Sequence, residues 1–264
     1  MSPQQTESID QQIKLLEKRF LDSAAELKDL RLKLLRTTEA ELAEIKDEWH
    51  GVHYRWWVFT LSGVLALFVL SYFLYTNLGW AADHRALPAG SDWLLRRLPV
   101  RNVLPMLSWG WFGLHLYAGG AAMLYYPRRM PFLIFMLSLF VAIRSLFISL
   151  SPIGAPVGMM DMSKLDFLFA RIMGTWTFNN EFVFSGHTGI PFLFFLFFET
   201  FWLKSLMLAG SLTMGVCVLL SHNHYTVDVL GAYFVSYSIY VLAEKIYYGW
   251  IRPLFQVSPS RIRY

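Results

Sequence analysis

An all-α membrane protein is predicted: a bundle of six transmembrane helices preceded by a long amphipathic or coiled-coil helical segment. Three observations predict it. Of the 264 residues, 55% are hydrophobic and only 16% charged, where a soluble domain normally carries about a quarter charged residues. Six apolar segments approach the roughly 20 residues that a helix needs to cross about 30 Å of hydrocarbon. The first fifty residues, by contrast, are polar and rich in Glu, Lys, Leu, Ala and Arg.

From about Glu7 to Trp49 apolar residues recur at three- and four-residue steps, among them Ile13, Leu16, Phe20, Leu27, Leu34, Leu42 and Ile45, and no Gly or Pro interrupts them. The spacing predicts one long amphipathic helix or a helical hairpin. Ala24 and Thr38 fall near seam positions. A coiled coil that self-associates into a homo-oligomer and a helix lying on the chain's own membrane domain are both compatible with that seam. This stretch is too polar for a cleavable signal peptide, so the first span must target the protein.

The six apolar segments cover residues 56–76, 104–126, 131–150, 188–203, 205–221 and 227–250. The fourth and fifth are short and joined near Lys204, but together they are much too long for one ordinary crossing. Three regions follow: a cytosolic helical segment at 1–52, a six-span catalytic domain at 53–252, and a short basic tail at 253–264. Six crossings put both termini on one side, with Arg128, Arg129, Lys204, Lys245, Arg252, Arg261 and Arg263. The excess of basic residues makes that side cytosolic. The connection at 78–103 carries Arg85, Arg96, Arg97 and Arg101 on the opposite side and reads as an interfacial helix touching anionic headgroups.

The formal net charge of +4 is therefore read as topology and headgroup contact. No nucleic-acid-binding motif accompanies it. Cys217 is the only cysteine, which excludes an intramolecular disulfide and a closed cysteine-based metal site. It reads as a small buried hydrophobe.

This topology carries polar residues from distant segments to one membrane face. Arg144 lies about two turns before the end of the third span. Ser185-Gly186-His187-Thr188 opens the fourth, and His224-Tyr225-Thr226-Val227-Asp228 opens the sixth. A charge inside an apolar span costs a few kcal/mol and usually faces a polar cavity. The fork of donors on Arg144 suits phosphate oxygens, although an arginine near a span's end can also reach up to lipid phosphates.

Gly186 allows close backbone approach to an anion at a helix N-terminus, Ser185 adds a hydroxyl donor, and His187 can protonate a leaving oxygen. A Ser-Gly pair is also an ordinary turn before a helix. His224 and Asp228 stand one helical turn apart, so the carboxylate can orient the ring and leave its other nitrogen to attack. A structural pair capping the sixth span is an alternative. A metal site using His222, His224 and Asp228 is a weaker one, because further ligands are not supplied at recognisable spacings.

Phe184-Ser185-Gly186-His187-Thr188, then His224-Tyr225-Thr226-Val227-Asp228-Val229 and Ala232-Tyr233, resembles the paired motifs of the sphingomyelin synthase family, itself related to the type 2 phosphatidic acid phosphatases. Arg144-Ser145, followed by Ser151-Pro152 and Pro156, is similar to that family's upstream stretch, and the likeness runs from about 131 to 248. It implies a six-span, cofactor-free enzyme that moves a phosphorylated headgroup between membrane lipids through a phosphohistidine. His224 would be the nucleophile, Asp228 its orienting acid, His187 the proton donor and acceptor, and Arg144 a phosphate ligand. Glu181 stands where the family tends to have an aspartate after Cys-Gly. Here Asn179-Asn180 precede it, so the acid is kept and the Cys-Gly is not.

Asp161, Asp166 and Arg171, in the connection before Ser185, are candidates for binding a choline or ethanolamine group or for a solvated loop face. The phenylalanines at 192–198 read as lipid-facing or core packing. Three functions remain open: lipid phosphotransferase, lipid phosphate phosphatase using water as acceptor, and a membrane scaffold that recruits partners through the N-terminal helix.

Overall fold

The computed structural model describes residues 3–85, 87–151, 153–160 and 181–255, with side chains in the first helix described mainly from Glu26 onward. Contacts divide the chain into two compact units, Met1–Gly51 and Val52–Tyr264. The first is a single helix, α1 (Pro3–His50), and not a hairpin. Nothing in its sequence breaks it before Gly51, and pairs such as Asp29 with Lys33 at 2.8 Å support its surface. Leu27 and Leu42 are exposed.

The second unit holds α2 (Tyr54–Asp83), α3 (Trp111–Tyr125), α4 (Met130–Leu150), α5 (Gly186–Phe197), α6 (Phe201–Leu220) and α7 (Thr226–Ile246). A π turn at Met106–Gly110 leads into α3, and another at Tyr247–Ile251 follows α7. Among the described residues four stretches are long and apolar enough to cross a membrane: Tyr54–Asp83, Pro127–Leu150, Phe201–Leu220 and Thr226–Leu254.

The other two predicted segments are helical but fall short by that measure. With 12 residues, α5 is about 18 Å long at 1.5 Å per residue. The α3 stretch is 15 residues and carries His115 with several glycines.

Breaks fall where backbone chemistry demands them. Ser151 turns extended ahead of Pro152 and ends α4. Between α5 and α6 the predicted break near Lys204 lies instead at Glu199 and Thr200. The Tyr126 hydroxyl accepts the Glu199 and Thr200 amides at 3.3 and 2.9 Å, which pins the turn four residues earlier. Arg129 pairs with Glu199 beside it.

Successive helices of this unit run in alternating directions. At one end Trp57 Nε1 donates to the Pro127 carbonyl at 2.6 Å, joining the starts of α2 and α4. At the other end Arg85 donates to the Ser149 and Ile148 carbonyls, at 2.8 and 2.9 Å. So α2 and α4 run parallel, with α3 returning between them in sequence. The core between the ends is aromatic: Phe132, Phe140, Phe197 and Phe198 are fully buried together with Met136, Leu193 and Met207.

Gly189 lets α4, α5 and α7 approach. A Cβ there would stand 2.7 Å from Ser236 Oγ and 3.0 Å from the Phe140 ring. Cys217 packs with Leu104, Leu107 and Val218 as a buried hydrophobe.

The connection from α2 to α3 differs from the expected interfacial helix. Its helical content is one 3-10 turn, Leu95–Arg97, and the rest folds back across the bundle end. The Gly154 amide donates to the Pro88 carbonyl at 2.9 Å and the Arg101 amide to the Leu220 carbonyl at 2.7 Å. Backbone groups bonded to neighbouring loops in this way are not available for a helix. Within it Trp93 is exposed, with the Arg97 guanidinium 4.0 Å over its ring.

Candidate active site

The end of the unit reached by the C-termini of α2, α4 and α6 and the N-termini of α5 and α7 gathers the predicted residues. Arg144, His224 and Asp228 are each at most 6% exposed there. Arg144 comes from α4, nearly two turns before its end. Its Nη1 donates to Glu181 Oε2 at 2.5 Å, its Nη2 to the Glu181 carbonyl at 3.3 Å, and its Nε to the Phe184 carbonyl at 3.2 Å. Tyr75 of α2 donates to the same carboxylate oxygen at 2.7 Å. Glu181 and Arg144 thus form a buried pair held from three elements.

Burial by itself would raise the Glu181 carboxyl. The Arg144 guanidinium and hydrogen bonds from Tyr75 and Arg144 outweigh it and hold the group below the usual carboxylate range.

Ser185 caps α5, accepting the Thr188 amide at 3.4 Å, while its own amide donates to the Asp228 carbonyl at 3.0 Å. Gly186 faces the guanidinium, and a Cβ there would lie 3.5 Å from Arg144 Nε. The first turn of α5 therefore stands directly beside the Arg144 charge, and its amides and that charge act on the same small volume. His187 follows, with Nε2 3.2 Å from the Leu107 carbonyl and its ring 5.4 Å from Trp111. A carbonyl only accepts, so Nε2 carries a proton, and Nδ1 is the nitrogen at which a proton can be given or taken.

At the start of α7, His224 Nδ1 lies 3.3 Å from Asp228 Oδ2, the i,i+4 pairing the spacing predicts. The same oxygen accepts the Tyr225 amide at 3.0 Å, which fixes the carboxylate rotamer. A carboxylate on Nδ1 holds the proton there and leaves Nε2 with a lone pair. His222 does not join this pair. In the left-handed turn after α6, at φ 56°, its Nδ1 faces the Val157 carbonyl at 3.0 Å and its Nε2 the Leu98 carbonyl at 3.3 Å. Among the described residues no group of three or more His, Cys, Asp or Glu is arranged to hold a metal ion.

Sequence reasoning missed the supports of the second motif. Asp92, half-buried in the α2–α3 connection, accepts the Thr226 amide at 2.6 Å and the Thr226 hydroxyl at 3.0 Å, and also caps the 3-10 turn through Leu94 and Leu95. Burial tends to raise its carboxyl, but the amides of Leu95 and Thr226 and the Thr226 hydroxyl hold it below the ordinary value. The Tyr225 hydroxyl donates to the Gly154 carbonyl at 2.8 Å and accepts the Gly90 amide at 2.7 Å. An acid three residues ahead of a turn is a readable local cap, but its second role on α7 has no sequence signal. Asp161, Asp166, Arg171, Asn179 and Asn180 lie outside the described residues.

Residues 180–245 match the family described as PAP2 superfamily C-terminal. A 71-residue stretch is 35% identical to Phosphatidylcholine:ceramide cholinephosphotransferase 1 of Gallus gallus, covering 25% of this chain and 17% of that protein. Phosphatidylcholine:ceramide cholinephosphotransferase 2 of Rattus norvegicus and that of Mus musculus are 37% identical over 71 residues, 25% of this chain and 20% of each. The aligned stretch thus spans at most a fifth of the curated relatives it matches. The resemblance read from the motifs is borne out over this segment. No solved structure matches the chain.

Proposed function

We propose that this chain is an integral-membrane lipid phosphotransferase that moves a phosphorylated headgroup from one lipid to another through a phosphohistidine at His224. The observation that carries the proposal is the His224–Asp228 pair at the same bundle end as His187, Arg144 and the start of α5. His224 Nε2 attacks the donor's phosphorus and the bond from phosphorus to the lipid oxygen breaks. His187, protonated on both nitrogens at that moment, gives its Nδ1 proton to the departing oxygen and becomes neutral. It then takes the proton of the acceptor hydroxyl as that oxygen bonds phosphorus, and the N–P electron pair returns to Nε2.

Arg144, the Ser185 hydroxyl and the amide of Gly186 are assigned to the charge that grows on the phosphoryl oxygens. Glu181 is the further acid that holds the Arg144 guanidinium in register. The six helices α2 to α7 each cross the membrane, α5 and α3 as shorter crossings inside the bundle. Both termini lie in the cytosol, with the site on the opposite face.

A lipid acceptor is favoured over water because Arg144, His224 and Asp228 are almost fully buried. A site closed to solvent suits an acceptor that enters from the bilayer. The relatives' names pair phosphatidylcholine with ceramide, which makes a choline phospholipid and a ceramide the first donor and acceptor to try. The test is purified full-length protein in detergent with labelled phospholipids and candidate acceptors, scoring new lipid, released headgroup and free phosphate separately. New lipid is expected to dominate. Release of headgroup or phosphate to water at the same rate with and without acceptor would replace the transferase by a hydrolase.

A further inference from the structure

Leu107, Trp111 and His115 are spaced four residues apart and share one face of the α3 stretch. That face runs along α5. The Leu107 carbonyl meets His187 Nε2 at 3.2 Å, the Trp111 ring lies 5.4 Å from His187, and the His115 ring lies 5.8 Å from Phe194. It is a stripe that starts at a proposed catalytic group and leads down into the bundle.

Two buried polar atoms on this stripe, Trp111 Nε1 and His115 Nε2, have no hydrogen-bond partner among the described residues. An unmade bond at such an atom is costly, and native structures usually provide a partner. The tautomer follows from the other nitrogen: His115 Nδ1 is 2.7 Å from the Trp111 carbonyl, which only accepts, so Nδ1 holds the proton and Nε2 offers a lone pair. The indole and imidazole rings are tilted against each other with centroids 4.0 Å apart, so two neighbouring rings carry one unmatched donor, Trp111 Nε1–H, and one unmatched acceptor, His115 Nε2.

We propose that Trp111 and His115 are a specificity determinant for the acceptor lipid, selecting one that bears a secondary amide or a second hydroxyl beside its reacting alcohol. A donor and an acceptor on neighbouring rings match a group that both accepts and donates. An ester-linked glycerolipid answers only the indole and leaves His115 Nε2 unmatched, and a site with an unmatched buried polar atom discriminates strongly. This rests on the transferase reading above, because it presumes an acceptor lipid at His187.

The experiment compares a short-chain ceramide with a short-chain diacylglycerol as acceptors for the full-length protein in detergent, with one labelled choline phospholipid as donor. The readout is the ratio of kcat/KM for the two acceptors. Trp111→Phe keeps the ring contact and removes the donor. His115→Asn keeps a nitrogen near the Nδ1 position and removes Nε2, whereas His115→Gln places a polar atom near Nε2.

Wild type is expected to prefer the amide. Trp111→Phe and His115→Asn each lower the ratio about tenfold, the scale of one buried hydrogen bond, while His115→Gln keeps most of it. A ratio unmoved in both Trp111→Phe and His115→Asn, or equal losses on both acceptors, overturns the proposal and leaves the transferase standing. A wild type that transfers to neither acceptor overturns the transferase reading itself.

Discussion

Asp92 and Thr226, 134 positions apart, are joined twice: the Thr226 amide meets Asp92 Oδ2 at 2.6 Å and the Thr226 hydroxyl meets Oδ1 at 3.0 Å. Thr226 is the first residue of α7 and stands between His224 and Asp228. The α2–α3 connection therefore fixes the entry of the helix that follows the proposed nucleophile and carries its orienting acid. Removing Asp92 acts on His224 through the backbone, since small misplacements of a reacting group are expensive. Asp92→Ala is expected to lower kcat by about ten- to a hundredfold and to cost about 1–2 kcal/mol of stability as a lost cap, measured by transfer assay and by thermal unfolding in detergent.

The same carboxylate predicts a pH dependence. Its folded value lies below the ordinary one, so its contribution to stability is complete above the ordinary carboxylate range and is lost as pH falls through the folded value. Thermal midpoints of the wild type should therefore drop as pH is lowered below about 4. In Asp92→Asn that part of the drop should be missing, and an identical pH profile for the two proteins would refute the assignment.

Arg144 and Glu181 stabilise one another in a buried site. Glu181→Leu takes the carboxylate from a buried guanidinium and Arg144→Leu takes the guanidinium from a buried carboxylate, each at about 3–5 kcal/mol. The double variant removes both charges. It should melt above either single variant while remaining inactive, because no phosphate ligand is left at the start of α5. Strict additivity of the two losses would show that the pair is not coupled.

Gly154 is required by close approach. A Cβ at this position would stand 2.2 Å from the Leu87 carbonyl oxygen, a backbone atom that cannot swing away. Gly154→Ala should push residues 87–90 off, break the bonds of the Tyr225 hydroxyl to Gly154 and Gly90, and reduce both melting temperature and activity. Gly113 has open space at its Cβ position, and Gly113→Ala is the control expected to melt as wild type.

The convergence of Arg144, Ser185, His187, His224 and Asp228 was legible because it needs only alternating helices and the ends of apolar runs. Both signals are local and strong. The spacing of His224 and Asp228 named the right partners, although His224 precedes α7 and the bond is made across the extended N-cap Tyr225. What stayed illegible depends on the loop at 78–103. Its arginines suggested an amphipathic surface helix, yet Arg85 binds α4 carbonyls and Asp92 binds α7, bonds set by which segments meet in three dimensions. Tyr75 and Tyr126 were hidden for a related reason. An aromatic near a span end reads as an interfacial anchor, and only the fold shows that their hydroxyls reach Glu181 and the α5–α6 turn.

The most direct test of the central claim is to trap the intermediate. Purified wild type is mixed with a donor lipid labelled in its headgroup phosphate, quenched without acid, and the label on protein is mapped. The account predicts acid-labile, base-stable label on His224, cleared by acceptor lipid, absent in His224→Ala and reduced about a hundredfold or more in its rate of formation in Asp228→Asn. Label retained in His224→Ala, or wild-type turnover without any label on the protein, would contradict it.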